Sequence, residues 1–192
     1  MGVPTVKTGP MTIDEFYAFT DTRPDEEKWE LIDGEPVLHA SPSGMHQRIL
    51  LNVAAYLRGL TLQRPRSWEV LPGLGVRVSD VNRPEPDVLV LPKAAPPLAP
   101  SQRDRDDVIV AFEVLSPSTA DRDLRWKRAA YTSMPSLTHY VVIAQDAVEV
   151  VAFARDASFA EQRLRSLDDT IEFPALGVIL PLAEIYRDTG LA

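Results

Sequence analysis

Within one short stretch the chain sets Pro86-Asp87, then Glu113 toward the end of an apolar run, then Lys127 in a helical pattern. Two carboxylates and an amine delivered from buried elements are the parts of a divalent-metal phosphodiesterase site. Asp87 opens the run Asp87-Val-Leu-Val-Leu91, and Glu113 interrupts Val108-Ile-Val-Ala-Phe-Glu-Val-Leu115. An ionised carboxylate withdrawn from water is costly unless it is paired or holds a metal. Each residue also has a plainer role open to it: turn amides around Asp87, a buried arginine such as Arg128 beside Glu113, and an i, i+4 ion pair of Lys127 with Asp123.

The elements that must position these groups can be read from pattern. Thr12 with Glu15 is a capping box for a short helix over 13–20. Lys28-Trp-Glu-Leu-Ile32 and Glu35-Pro-Val-Leu-His39 flank Asp33-Gly34, a hairpin signal that pairs Ile32 with Glu35 and Glu30 with Val37. Pro36 cannot donate to a ladder, so it suits an edge or an outward-facing position. Over 45–60, Ile49, Leu50, Val53, Leu57 and Leu60 recur at the spacing of an amphipathic helix, with His46 on its apolar side.

A strand over 68–78, bent at Pro72-Gly73, precedes strands over 87–91 and 108–115. The last two are apolar on both faces, as in the centre of a sheet covered on both sides. The connector between them, rich in Pro, Ala and charge, reads as an exposed loop. Ser118-Thr-Ala-Asp121 is a second capping box, opening a helix that Pro135 stops. A hairpin over 137–144 and 148–154, one or two short strands over 163–180, and a short helix over 182–187 complete the chain. These elements predict a mixed α/β sheet with flanking helices in one domain, 11–192, after a loose arm over 1–10.

If strands 87–91 and 108–115 are antiparallel neighbours, the start of the first lies beside the end of the second, and Asp87 meets Glu113 at one end of the sheet. Asp87, Leu89 and Leu91 share one face, as do Ala111, Glu113 and Leu115, so both carboxylates can point the same way. In the next helix Leu124, Lys127 and Tyr131 fall at i, i+3 and i+7, which brings Lys127 to the mouth of the site. Amides near Ser118 and Thr119 offer donors for a phosphate. Ser116 can hold a water or a phosphate oxygen. Glu30 either completes the acidic cluster or pairs with an arginine, and the plain role for His46 is that of a hydrogen-bonded core histidine.

With 192 residues, 45% hydrophobic and 25% charged, the chain has the composition of an ordinary globular protein. It has no cysteine, which excludes thiolate zinc sites and a cysteine nucleophile. Any metal is then held by oxygen, with a histidine as the one further ligand type, which favours magnesium or manganese. The formal charge of -8 argues against a broad nucleic-acid footprint. A local basic groove is still available from Arg58, Arg64 and Arg66 or from Arg122, Arg125, Lys127 and Arg128. With neither a run of about 18 apolar residues nor a signal-peptide core, the expectation is a soluble cytoplasmic protein without membrane partners.

Pro86-Asp-Val-Leu-Val-Leu, Phe112-Glu-Val-Leu-Ser-Pro-Ser-Thr119 and Asp123-Leu-Arg-Trp-Lys127-Arg-Ala-Ala-Tyr131, with Trp29-Glu-Leu-Ile-Asp-Gly-Glu35 and Ser41-Pro-Ser-Gly-Met-His46, resemble the Uma family of candidate endonucleases. That family belongs to the PD-(D/E)xK restriction-endonuclease-like group. The resemblance implies a restriction-endonuclease-like core and a DNA endonuclease, a homodimer, using magnesium or manganese. It implies Asp87 and Glu113 as metal ligands, with the backbone carbonyl of Val114, and marks Glu30 and His46 as further site positions. The usual E-x-K lysine position is Leu115 here; the family's lysine sits on the helix, which Lys127 matches. The alternatives are a catalytically inactive nuclease fold that binds nucleic acid or protein, and an acidic assembly module whose carboxylates pair with arginines.

Overall fold

The structure is a computed structural model that describes residues 9–93, 97–115 and 122–192. Helix α1 (Ile13–Thr20) starts at the capping box, where Glu15 N donates to Thr12 Oγ1 and Thr12 N to Glu15 Oε2. The hairpin of β1 (Trp29–Ile32) and β2 (Glu35–Leu38) has the expected register, Ile32 opposite Glu35 and Glu30 opposite Val37. Its turn needs positive φ at both central residues, and Asp33 and Gly34 adopt +51° and +78°. A side chain at Gly34 would also strike Pro10, whose Cβ lies 2.2 Å from where it would begin. Helix α2 spans Gly44–Gln63 and is capped by Ser43, whose Oγ accepts the N–H of His46 at 3.1 Å.

The single bent strand expected over 68–78 is two elements, β3 (Trp68–Pro72) and β4 (Gly75–Val76). Gly73, at φ +61°, turns the chain between them. After β5 (Val88–Pro92), the connector read as a plain loop contains β6 (Asp104–Arg105), which pairs in parallel with β4. β7 (Val110–Val114) follows. The stretch 116–121, with Ser116, Ser118, Thr119 and the second capping box, lies outside the described residues. From Arg122 to Lys127 the chain is a π-helical turn rather than the expected α-helix, and it continues into α3 (Arg128–Thr132).

The hairpin β8 (His139–Ile143) and β9 (Val150–Ala154) is as expected. Beyond it are three strands where one or two were expected: β10 (Glu161–Leu164), β11 (Thr170–Phe173) and β12 (Val178–Pro181). β10 exposes Glu161, Gln162 and Arg163, so it carries no apolar pattern to betray it. Helix α4 (Leu182–Ile185) ends the fold, shorter than the expected 182–187.

Six strands form one mixed sheet in the order β10-β9-β8-β7-β5-β3, in which only β7 and β8 run parallel. Alternation along the central strands sends Val88, Val90, Val110 and Phe112 to one face, against Ile49, Val53 and Leu57 of α2 and Phe173 of β11. Leu89, Leu91 and Ala111 go to the other, against Tyr131 and Tyr140. A buried side chain of this size is worth about 1.5–3 kcal/mol, so both apolar faces are secured only by layers on each side. Among the described residues no helix is long and apolar enough to cross a membrane.

Candidate functional site

The antiparallel register of β5 on β7 puts Val88 opposite Phe112, and the ladder runs one residue further, Asp87 N donating to Phe112 O at 3.0 Å. Asp87 and Glu113 therefore meet at the same end of the sheet. Asp87 Oδ2 accepts the backbone N–H of Val114 at 2.7 Å, while Oδ1 lies 3.1 Å from His46 Nε2 and 3.6 Å from Lys28 Nζ. Burial alone would raise the Asp87 pKa. The hydrogen bond from His46, the charge of Lys28 and the Val114 amide outweigh it and hold the carboxyl below its ordinary value.

Glu113 is answered from the other side of the sheet. Its Oε1 accepts from Lys127 Nζ at 2.9 Å and from Tyr131 OH at 3.1 Å. Lys127 is 2% exposed and its Nζ is also 2.9 Å from Glu30 Oε1, so one ammonium joins two buried carboxylates. Glu30 Oε1 further accepts the Glu85 amide at 2.6 Å, and its Oε2 is 2.5 Å from His39 Nε2. Burial pushes the Glu30 pKa up, but Lys127, His39 and the Glu85 amide more than reverse this and keep it ionised well below the usual carboxylate range. Burial and the Glu113 charge together raise the Tyr131 phenol, which stays protonated and donates.

These groups open on a cavity of about 580 Å³, whose walls include Lys28, His46, Glu85, Asp87, Glu113 and Lys127. Glu85 Oε2 takes a hydrogen bond from Arg83 Nη1 at 3.1 Å, and its Oε1 is 4.0 Å from Lys28 Nζ. Burial would lower the Lys28 pKa, but the charges of Asp87, Glu85, Glu113 and Glu30 raise it above its ordinary value. Among the described residues, four carboxylates thus face Lys28, Lys127 and Arg83, with His39 and His46 against Glu30 and Asp87. Carboxylate oxygen opening on a cavity is the donor type that suits a hard divalent cation.

Among the described residues no group of three or more His, Asp or Glu side chains is already gathered to hold a metal. Magnesium does not require one, since it commonly keeps several waters and takes only one or two carboxylates. Asp87 and Glu113, which line the same cavity, fit that demand.

Of the five side chains singled out in the sequence, Asp87 contacts His46 while Glu113 and Glu30 share Lys127, and Lys28 with the Glu85 amide links the two groups. Several of the plainer roles are corrected. Arg128 does not pair with Glu113; it lies 4.4 Å over the Phe153 ring and donates to Phe159 O. Glu30 pairs with a lysine and a histidine instead of an arginine. Lys127 is a buried group rather than part of a solvated basic patch. The alternation that was to point Asp87 and Glu113 the same way is relaxed at Asp87, which precedes β5 and reaches toward α2.

Lys28, His39, Glu85 and Tyr131 were not singled out from the sequence as site residues. Glu85 stood in plain view within Pro84-Glu-Pro-Asp87, and Tyr131 one turn beyond Lys127. Lys28 and His39 are shown only by the hairpin register, in which His39 N donates to Lys28 O at 2.9 Å.

The sequence profile of the Uma2 family, described as "Putative restriction endonuclease", matches residues 13–183. A crystal structure described as a "putative nuclease belonging to DUF820" from Anabaena variabilis superposes with a TM-score of 0.73 at 16% identity, covering 92% of this chain and 98% of that one. At that identity the likeness shows the fold. No curated protein matches the chain in sequence.

Proposed function

Because the chain belongs to the Uma2 family of restriction-endonuclease type, we propose that it is a metal-dependent phosphodiesterase, an endonuclease acting on DNA. The observation that carries this reading is the meeting of Asp87 and Glu113 across the β5–β7 register on one cavity that also contains Lys127. Asp87, Glu113 and the backbone carbonyl of Val114 would hold magnesium or manganese. The chemistry supplied by such an ion is a lowered pKa for an attacking water and neutralisation of charge on the phosphate.

The chain's own residues do the rest. Val114 N–H and His46 fix both oxygens of Asp87, and Tyr131 fixes Glu113. Lys127, anchored by Glu30 and Glu113, holds a positive charge at the cavity wall where charge builds on a phosphate. The same reading takes the working unit as a homodimer that meets a duplex with two copies, in the cytoplasm.

A second reading, an inactive nuclease fold that binds nucleic acid or protein, is favoured by the ion pairs that already satisfy Asp87 and Glu113. A nuclease assay with magnesium and manganese titrations separates the two, comparing wild type with Asp87→Ala and Lys127→Ala. The enzyme reading expects metal-dependent cleavage lost in Asp87→Ala. Absence of cleavage by folded wild type with either metal, on DNA and on RNA, sinks it.

A further inference from the structure

We infer that Lys28 is a phosphate-contacting residue of the substrate path, standing where two adjoining cavities meet. The substrate class rests on the nuclease reading above. The cavity at Asp87 and Glu113 and a second one of about 420 Å³ share Lys28, Gly73 and Glu85 in their walls. The second cavity runs toward Tyr17, Trp29 and Arg103 and is bordered also by Asp25, Glu26 and Glu27, so Lys28 is the cation at its junction with the first. A phosphodiester chain lying against Asp87 and continuing into it crosses this junction. The junction is open at Gly73, where a Cβ would meet nothing closer than Glu85 Oε1 at 3.9 Å.

The two lysines of the site are not equivalent. Lys127 is locked, with 2.9 Å contacts to two carboxylates and 2% side-chain exposure. Lys28 is 35% exposed, and its contacts of 3.6 Å to Asp87 and 4.0 Å to Glu85 are too long for direct hydrogen bonds. An ammonium on a flexible stem can leave such contacts for a phosphate oxygen. Asp87 would then still have His46 and the Val114 N–H, so no buried charge is stranded.

The test is equilibrium binding of a fluorescent DNA oligonucleotide by wild type, Lys28→Met, Lys28→Gln and Lys28→Arg in EDTA across a salt series. Loss of one phosphate contact should weaken binding roughly three- to tenfold and reduce the slope of log affinity against log salt by about 0.7–0.9. Lys28→Arg should restore the slope, which a merely structural role would not require. Two neutral variants guard against one that fails to fold. An unchanged slope in a folded neutral variant, or no oligonucleotide binding by wild type, overturns the inference. Cleavage by wild type against Asp87→Ala, measured with metal, decides the nuclease reading separately.

Discussion

Val114 gives its backbone N–H to Asp87 Oδ2 at 2.7 Å, so the strand that carries Glu113 also fixes the other carboxylate of the pair. Glu113 is placed by its own strand, and Asp87, in the bend just before β5, is held by that strand's amide.

If an ion is held by Asp87 and Glu113, it must stabilise the native state. Manganese at about one hundred times its dissociation constant is worth about 2.7 kcal/mol, which raises Tm by roughly 5–11 °C for a chain of this size. Thermal melts should show this rise in wild type and lose it in Asp87→Asn, while calcium or magnesium at matched saturation behaves alike.

Lys127→Met removes the ammonium that two buried carboxylates, Glu30 and Glu113, share. Breaking a buried pair costs about 3–5 kcal/mol. Tyr131→Phe removes a single hydrogen bond to Glu113 and should cost about 1–2 kcal/mol. Urea unfolding of both variants checks the order, and equal losses would contradict it.

Gly75 lies against the Arg83 guanidinium, which sits 2.2 Å from where a Cβ would begin. Arg83 is buried and holds both Glu85 and the Arg103 carbonyl. Gly75→Ala should therefore destabilise by about 1–3 kcal/mol and disturb the cavity through Glu85. Gly44→Ala, in the first turn of α2 with nothing within 4 Å, should instead stabilise by a few tenths to about 1 kcal/mol.

His139 sits 5.0 Å from the Phe173 ring in a buried strand, and burial lowers its pKa from 6.5. The unfolded chain therefore takes up this proton first as pH falls. The stability tied to neutral His139 is present above pH 6.5 and is lost as pH drops through the lower folded value. Unfolding free energy should decline as pH falls below 6.5, and His139→Phe should flatten that decline. An identical slope in the variant would exclude His139 as its source.

Much of the site was legible because its elements follow local rules. Asp33-Gly34 set the hairpin register that buries Glu30, and the two-sided apolar runs around Val88 and Val110 marked the central pair that brings Asp87 to Glu113. What sequence did not disclose are contacts between distant segments. Lys28 and Asp87 are joined by no pattern, and β6 is a strand only because β4 lies beside it. The π-helical turn before α3 is likewise invisible to a 3.6-residue stripe, although the stripe correctly grouped Lys127 with Tyr131.

The parity of β7 has a consequence for the chain's tolerance of change. Phe112 and Glu113 are neighbours committed to opposite faces, Phe112 to the packing under α2 and Glu113 to Lys127. A slip of β7 by one residue would drive a carboxylate into the Ile49 and Val53 layer and place a phenyl ring at the cavity. An insertion or deletion inside this strand would thus erase core and site together, whereas one in the exposed stretch 97–103 would leave that parity intact. Folding and chemistry are read from a single phase, and neither can drift without the other.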